Sequence, residues 1–462
     1  MTISNEPILR GQVGQKLEEH LTPFIQGVIA SHELPGLAIG IVAEGQVVYA
    51  RGFGLKSITI GEPVSITTLF HMASVSKPFA ATAIMQLVER DQLQLDAPIA
   101  ACLPYFRLDD ERYRDITIRQ MLSHVSGMPD VEDYEWEQPQ YDDGALERYA
   151  RSLASEKLLF APGEKFAYSN MAFECLGAVI ARVSGLSFDD YVKQHILDPA
   201  GMPESTFLKP AHLPENWAAP HLSLLENCAW AGYPYNRMHA PSSTLHSNIP
   251  EMCNWAIANL NRGSFQGQQI LDPSSYDLLW KPWAEVNQGL RVGLSWFIGE
   301  YQGELAISHG GSDIGFRTHF VMLPGSRAAA VVLCNRLPAP VQGIALAALD
   351  TLHDRQPAPI LPPASLTVFK TLRRSGLEAA VDHWNTLKTQ RPDQYNFDTE
   401  QFSSLYFAVM LERAQEAQEI ASLCARVLAE AAVQALRDEL ASDPHQAAQD
   451  ALEALGGHRN TA

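Results

Sequence analysis

Ser74 and Lys77 stand three positions apart in Phe70-His-Met-Ala-Ser-Val-Ser-Lys-Pro-Phe-Ala80, at the head of an apolar run that reaches Leu87 and Val88. On a helix, residues i and i+3 share a face, so the lysine nitrogen can reach the serine hydroxyl. A hydroxyl is a poor nucleophile until a neighbouring base takes its proton. A partly desolvated lysine is such a base, and the positive end of a helix favours a developing oxyanion. The spacing alone is weak, because about one S-x-x-K is expected by chance in a chain this long.

Two further segments carry chemistry. Tyr168-Ser-Asn170, in Ala161-Pro-Gly-Glu-Lys-Phe-Ala-Tyr-Ser-Asn170, precedes an apolar helix expected from about Met171 to Val183. A tyrosine flanked by lysine can have its pKa lowered enough to shuttle a proton, and the asparagine can hydrogen-bond a substrate amide or the lysine. The bland alternative is a core tyrosine, with Asn170 capping the helix. His309-Gly310-Gly311-Ser312 closes a strand expected at 304–308. Glycines at a strand edge let substrate approach the backbone, and the Ser312 N–H can join the Ser74 N–H as an oxyanion donor. A simple turn between strands, with His309 an ordinary strand-end residue, is the alternative.

The elements that must position these residues follow from periodicity. Apolar residues from Lys16 to Ile29 recur at helical spacing despite Pro23, and β-rich runs at 37–43 and 46–53 are joined at Glu44-Gly45 as a hairpin. Residues 74–300 are rich in helix and loop, with a capping box at Thr117-Ile-Arg-Gln120 opening a short helix that stops near Gly127. Runs at 304–308, 316–323 and 328–334, separated by Gly310-Gly311 and Pro324-Gly325, predict an antiparallel three-stranded meander. Strands at both ends of the first 350 residues, with helices between, predict an α+β domain: one antiparallel sheet built from both ends, and a helical insertion over about 75–300.

A proline-rich linker, 356–364, separates this domain, 1–355, from a tail over 365–462 that is helical and without strand signal. Glu378-Ala379-Ala380 and Glu416-Ala417-Gln418 open two helical runs 38 residues apart, which fits helix-pair repeats and a plain bundle equally well. The tail is a candidate surface for protein contact or self-association.

Composition sets limits. The net charge of −19, from 53 acidic and 34 basic residues, disfavours nucleic acid and anionic membrane as partners. The start, Met1 to Leu9, has no basic stretch followed by an apolar run, and no segment has the length of a membrane span. Cys102, Cys175, Cys228, Cys253, Cys334 and Cys424 are scattered without C-x-x-C, which predicts free thiols and a cytoplasmic location. The chain has no G-x-S-x-G elbow, H-E-x-x-H helix or phosphate-binding G-x-x-x-x-G-K, and no metal or organic cofactor is implied.

Taken in order, Phe70 to Lys77, Leu93-Gln-Leu-Asp-Ala-Pro98, Ile116 to Gly127, Ala161 to Asn170, Asp198-Pro-Ala-Gly-Met202 and His309 to Pro324 resemble segments of one family. It is that of the β-lactamase-related serine hydrolases: class C β-lactamases, serine D-Ala-D-Ala carboxypeptidases, D-aminopeptidases and family VIII esterases. The resemblance covers about residues 15–350 and implies a three-layer α/β/α, β-lactamase/transpeptidase-like fold. It implies that Ser74 is acylated, that Lys77 and Tyr168 share general-base and general-acid work, and that Asn170 orients substrate. His309 stands at the lysine of the family's K-T-G motif and Gly311 at its glycine.

A histidine neutral at pH 7 binds a β-lactam carboxylate less well than lysine, and H-x-G variants are familiar among the esterase and peptidase branches. The expectation is therefore a hydrolase of a small ester, amide or D-amino-acid peptide. A β-lactamase or D,D-peptidase, and a binding or scaffold protein with a degenerate site, are the alternatives. A second departure, Ala240-Pro-Ser-Ser-Thr-Leu245, is expected to reshape one cleft wall, and the tail resembles TPR-like extensions of some relatives. Loops near 130–145 and 225–240, with Trp136, Trp230, Tyr233 and Tyr235, are candidates to line the cleft, although packing is the commoner role for any one of them.

Overall fold

The structure, a computed structural model, describes residues 6–441 and 446–456. The N-terminal stretch and the helical tail read from the sequence both extend into residues outside that description. A nine-stranded sheet forms the frame: β1 Ile8–Leu9, β2 Gly36–Ala43, β3 Gln46–Gly54, β4 Ala284–Asn287, β5 Leu290–Val292, β6 Phe297–Tyr301, β7 Glu304–Asp313, β8 Phe316–Leu323 and β9 Ala328–Cys334. Its order is β1-β3-β2-β9-β8-β7-β6-β5-β4, antiparallel at each pairing.

The two ends of the domain meet where β2 pairs with β9, from Leu37↔Cys334 to Ala43↔Ala328. The β2–β3 hairpin turns at Glu44 and Gly45, whose φ values of 51° and 72° suit a two-residue turn matching strand twist. The second part of this sheet begins at residue 284, earlier than the meander expected from 304, because β4 and β5 are short and offer few apolar residues to a periodicity argument.

A second correction concerns the glycine pair. β7 runs straight through His309-Gly310-Gly311 to Asp313, with Gly310 paired to His319 and Gly311 to Thr318. The chain turns instead at Ile314-Gly315, where Gly315 has φ +79°.

Alternation along β2 explains the layers. Leu37, Ile39 and Ile41 pack with α1 (Gly11–His32) and α5 (Val341–Leu352) on one face, in a core with Leu21, Ile25, Ile344 and Leu349. Ala38 and Val42 face the other core, which holds α2 (Lys77–Glu89), α3 (Asn170–Ser184) and α4 (Ile249–Leu260). There Phe79 stacks on Trp255 with ring centroids 4.3 Å apart. The expected capping box is present: Gln120 N donates to Thr117 Oγ1 at 3.3 Å and Thr117 N to Gln120 Oε1 at 2.9 Å.

Beyond the domain, α6 (Ala364–Gln390, interrupted at Gly376), α7 (Ser404–Met410), α8 (Ala414–Val427), α9 (Glu430–Leu440) and α10 (Gln446–Ala454) enclose their own core around Phe369, Trp384, Phe402 and Ile420. Leu222, Leu224 and Leu225 of the domain belong to that same core, and ion pairs Lys370–Glu33 and Arg373–Glu226 cross the seam. Among the described residues no single helix is long and apolar enough to cross a membrane. All six cysteines are free thiols.

One glycine fixes how closely the site-bearing helices approach. A Cβ on Gly177 of α3 would lie 2.1 Å from Pro241 Cγ and 3.1 Å from Leu146 Cδ1. Alanine at an exposed helix interior would add stability, but here overpacking outweighs it. Gly177→Ala is expected to destabilise the protein by about 1–3 kcal/mol in urea unfolding, and a stabilised variant would show that α3 and the 240–243 turn are not in contact.

Candidate active site

Ser74 lies in the single turn Ala73–Ser76 that runs into α2. Ala73 holds φ at +49°, a left-handed conformation that costs a non-glycine residue about 1–2 kcal/mol. Neighbouring backbone and hydroxyls fix it there. Met72 N donates to Leu245 O at 2.7 Å, Thr318 Oγ1 to Met72 O at 2.8 Å, and Leu245 N to Ser76 Oγ at 2.9 Å. The 240–245 segment therefore packs against the serine turn rather than standing only as a cleft wall.

Lys77 is fully buried, and its Nζ donates to Ser74 Oγ at 3.1 Å, to Ser242 O at 3.0 Å and to Asn170 Oδ1. Burial lowers its pKa to about 8, against the carboxylates of Glu174, Asp130 and Asp313, which hold the proton on. At pH 7 about a tenth of such a lysine is free amine, several hundredfold more than at its ordinary pKa.

The Tyr168 phenol lies near enough to Ser74 for that side chain to act on its pKa, and its ring centroid is 4.8 Å from Lys77 Nζ. Burial raises the phenol pKa, the reverse of the lowering expected from a flanking lysine, since Lys165 turns away onto Phe160. The phenol keeps its proton at neutral pH. Asn170 opens α3, but Ser169 is the cap, its Oγ accepting from Ala172 N at 3.1 Å. Freed of capping, the Asn170 amide points its oxygen at Lys77 while its Nδ2 and backbone N donate to Asp130 Oδ1 at 3.0 and 2.7 Å.

Across the site, β6 ends opposite Ser308, so His309 to Asp313 are paired on the β8 side and open on the side of the serine turn. Gly311 makes the approach close: a Cβ there would lie 2.3 Å from Met72 O and from Thr318 Oγ1. His309 is buried, with Nδ1 donating to Gly310 O at 2.8 Å and its ring 5.2 Å from Phe297. Burial takes its pKa down to about 3, so it is a neutral imidazole. Asp313 accepts from His71 Nε2 at 2.9 Å, which ties the end of β7 to the strand leading into Ser74. Ser74, Tyr168, Asn170, His309, Gly310, Gly311 and Ser312 all line one cavity of about 960 Å³, with Lys77 behind Ser74.

Several partners were not visible to sequence reasoning. His124 stacks on Tyr168 at 4.2 Å and accepts from Ser169 N at 3.2 Å. Asp130 orients Asn170. Glu174, fully buried, accepts from Ser242 Oγ and from His239 Nδ1 at 3.2 Å, behind the carbonyl that receives Lys77. A glutamate inside the apolar run from Met171 to Ile180 was a legible signal for it. Of the four aromatics noted earlier, Tyr233 and Tyr235 pack around His246, Trp230 joins the tail core, and Trp136 stacks on Tyr134 at 4.7 Å. It is Tyr134 that lines the cavity.

The sequence pattern of the Beta-lactamase family matches residues 18–354. Protein flp of Staphylococcus aureus (strain MW2) is 26% identical over 320 residues, covering 69% of this chain and 63% of its own length. Esterase EstB of Burkholderia gladioli is 36% identical over 197 residues, 40% of this chain and 50% of its own. The chain thus spans between half and two-thirds of the length of these curated relatives. The octameric penicillin-binding protein homologue from Pyrococcus abyssi superposes with a TM-score of 0.66 at 26% identity, over 79% of this chain and 82% of that one.

The two glycines of β7 make different demands. A Cβ on Gly310 meets nothing nearer than His319 Nδ1 at 3.6 Å, against 2.3 Å at Gly311. Gly310→Ala is expected to keep the parental thermal midpoint, whereas Gly311→Ala loses about 1–3 kcal/mol and pushes β7 from the serine turn. Equal midpoints for the two variants would contradict the packing described.

Proposed function

Because the chain belongs to the Beta-lactamase family, we propose that it is a serine hydrolase that cleaves a small ester, amide or D-amino-acid peptide through an acyl-enzyme on Ser74. The observation that carries this reading is the fully buried Lys77 amine 3.1 Å from the Ser74 hydroxyl, with its pKa lowered to about 8. In this reading neutral Lys77 takes the Ser74 proton as Oγ attacks the substrate carbonyl. The tetrahedral oxyanion is received by the Ser74 and Ser312 N–H groups, at the helix start and the open edge of β7. Tyr168, protonated and beside Ser74, passes its proton to the departing alcohol or amine and regains one from Lys77, and Asn170 holds Lys77 in place. Water, losing its proton to Lys77, then adds to the acyl carbonyl, and the bond to Ser74 Oγ breaks as that oxygen takes the proton back, which releases the acid.

Neutral His309 favours esters and peptides over β-lactams, since it offers a substrate carboxylate no cation at pH 7. Turnover of nitrocefin exceeding that of p-nitrophenyl butyrate and D-alanine p-nitroanilide would reverse that order and favour a β-lactamase. A passive scaffold is the reading from another class, and the intact Ser74, Lys77 and Tyr168 constellation argues against it.

A fluorophosphonate probe is expected to add one adduct to the intact mass, absent in Ser74→Ala. An adduct persisting in that variant would remove Ser74 from the reaction. The pH profile follows from the lysine: its proton must be off, so kcat/KM climbs with pH to a plateau above about 8. Glu174→Gln removes a carboxylate that holds that proton on, and is expected to move the limb to lower pH. A limb that stays put would show that Glu174 does not act on Lys77.

A further inference from the structure

The cavity that holds Ser74 is not closed by the hydrolase domain alone. Tyr395, Asn396, Phe397, Asp398 and Gln401, from the loop after α6, line the same cavity as Ser74, Tyr168 and Gly311. A second cavity of about 610 Å³ continues along the seam, with Tyr134, Ser312 and Asp313 on the domain side and Phe402, Tyr406 and Leu436 on the tail side. Tyr134, Ser312 and Asp313 border both cavities.

This loop is built as a fixed wall. Asn396 N donates to Pro362 O and Ala364 N to Asn396 O, each at 2.9 Å, pairing the loop with the proline-rich connection. Gln401 Nε2 donates to Asn396 O at 2.9 Å while its Oε1 accepts from Ser365 N at 2.8 Å. Asp398 N closes a small turn on Asn396 Oδ1 at 2.9 Å. The connection is itself packed down, with Ile360 on the core beneath α5. Between these anchors Tyr395 and Phe397 are half-buried and contribute rings to the cavity.

We propose that the 395–398 loop is the specificity-determining wall of the Ser74 cleft, selecting ester or amide substrates with a long apolar arm. The inference rests on the Ser74 hydrolase reading. Its size argument is simple: about 960 Å³ lies at the upper end of small-molecule sites and is far more than an acetyl ester fills. Its chemical argument is the lining. Leu290, Phe297, Ile360, Leu361, Tyr395 and Phe397 offer apolar surface along the way to the tail. The histidines on that path, His309 and His319, are held neutral by burial, and Asp313 is engaged by His71. An apolar arm reaching Tyr395 gains burial, up to roughly fourfold in binding per methylene removed from water.

The experiment compares full-length protein with Tyr395→Ala, Tyr395→Phe and Ser74→Ala on two ester series. p-Nitrophenyl esters from acetate to dodecanoate lengthen the acyl arm, and alkyl butyrates from ethyl to octyl lengthen the other. In the parent, kcat/KM is expected to rise at least tenfold from the shortest to the optimal member of one series. Tyr395→Ala flattens that rise, losing about tenfold on the optimal ester and less than twofold on the shortest, while Tyr395→Phe keeps it. A Tyr395→Ala profile parallel to the parent's, whether at full or uniformly reduced rate, overturns the proposal. If Tyr395→Ala fails to fold by its thermal midpoint, Tyr395→Trp serves instead: it fills the cleft and must shift the optimum to a shorter arm, and an unshifted optimum overturns the proposal. Activity surviving in Ser74→Ala overturns the hydrolase reading and this inference with it. An inactive Ser74→Ala with an unchanged chain-length profile in the Tyr395 variants overturns this inference alone.

Discussion

A lysine amine removed from water is the constraint around which this domain is arranged. Burying an ammonium without partners costs several kcal/mol, so the interior must supply acceptors, or the proton must leave more readily than it does in water. Both happen at Lys77. Its three acceptors, Ser74 Oγ, Asn170 Oδ1 and Ser242 O, come from α2's own preceding turn, from the start of α3 and from the 240–243 segment. Each contact fixes one wall of the site, and the residual desolvation shifts the amine toward the neutral form. A lysine on the surface would need none of this and would also be protonated throughout the neutral range.

The supporting contacts share a logic: each places a reactive group by taking away its alternatives. Asp130 takes both nitrogens of Asn170, which leaves the amide oxygen for Lys77. Ser169 takes the capping role, so Asn170 is free of it. Stacking on His124 sets the plane of the Tyr168 ring. The strained Ala73 is held by Leu245, Thr318 and the close passage of Gly311, so the turn presents Ser74 at a cost carried by the packing around it.

What the sequence revealed and what it concealed divide along contact range. The Ser74–Lys77 spacing, the tyrosine and asparagine at a helix start, and the glycine pair are local patterns, and the sheet built from both chain ends followed from where strand-like runs fell. Asp130, His124 and Glu174 meet their partners from 40 to 68 residues away in sequence, beyond what any local pattern encodes. The direction of the Tyr168 pKa escaped for the same reason, because burial is a property of the assembled core and it outweighs a neighbouring lysine along the chain. The glycine pair was read as a break in the strand since glycine usually disfavours strands. Here the absent side chain serves the close approach of β7 to Met72, and the strand continues.

Electrostatics then act in one direction at two scales. A net charge of −19 sets a negative potential over the protein surface, which slows approach of anionic molecules at low ionic strength. Inside the cleft, His309, which the family resemblance sets at the position of a lysine, is kept neutral by its burial. Protonating it would require removing it from contact with Phe297 and from the buried edge of β7, so acidification within the ordinary range does not restore the missing charge. On the proposed hydrolase reading, with no cation offered at that position, discrimination between substrates passes to shape and apolar contact, which depend on the walls of the cavity and on how firmly those walls are held.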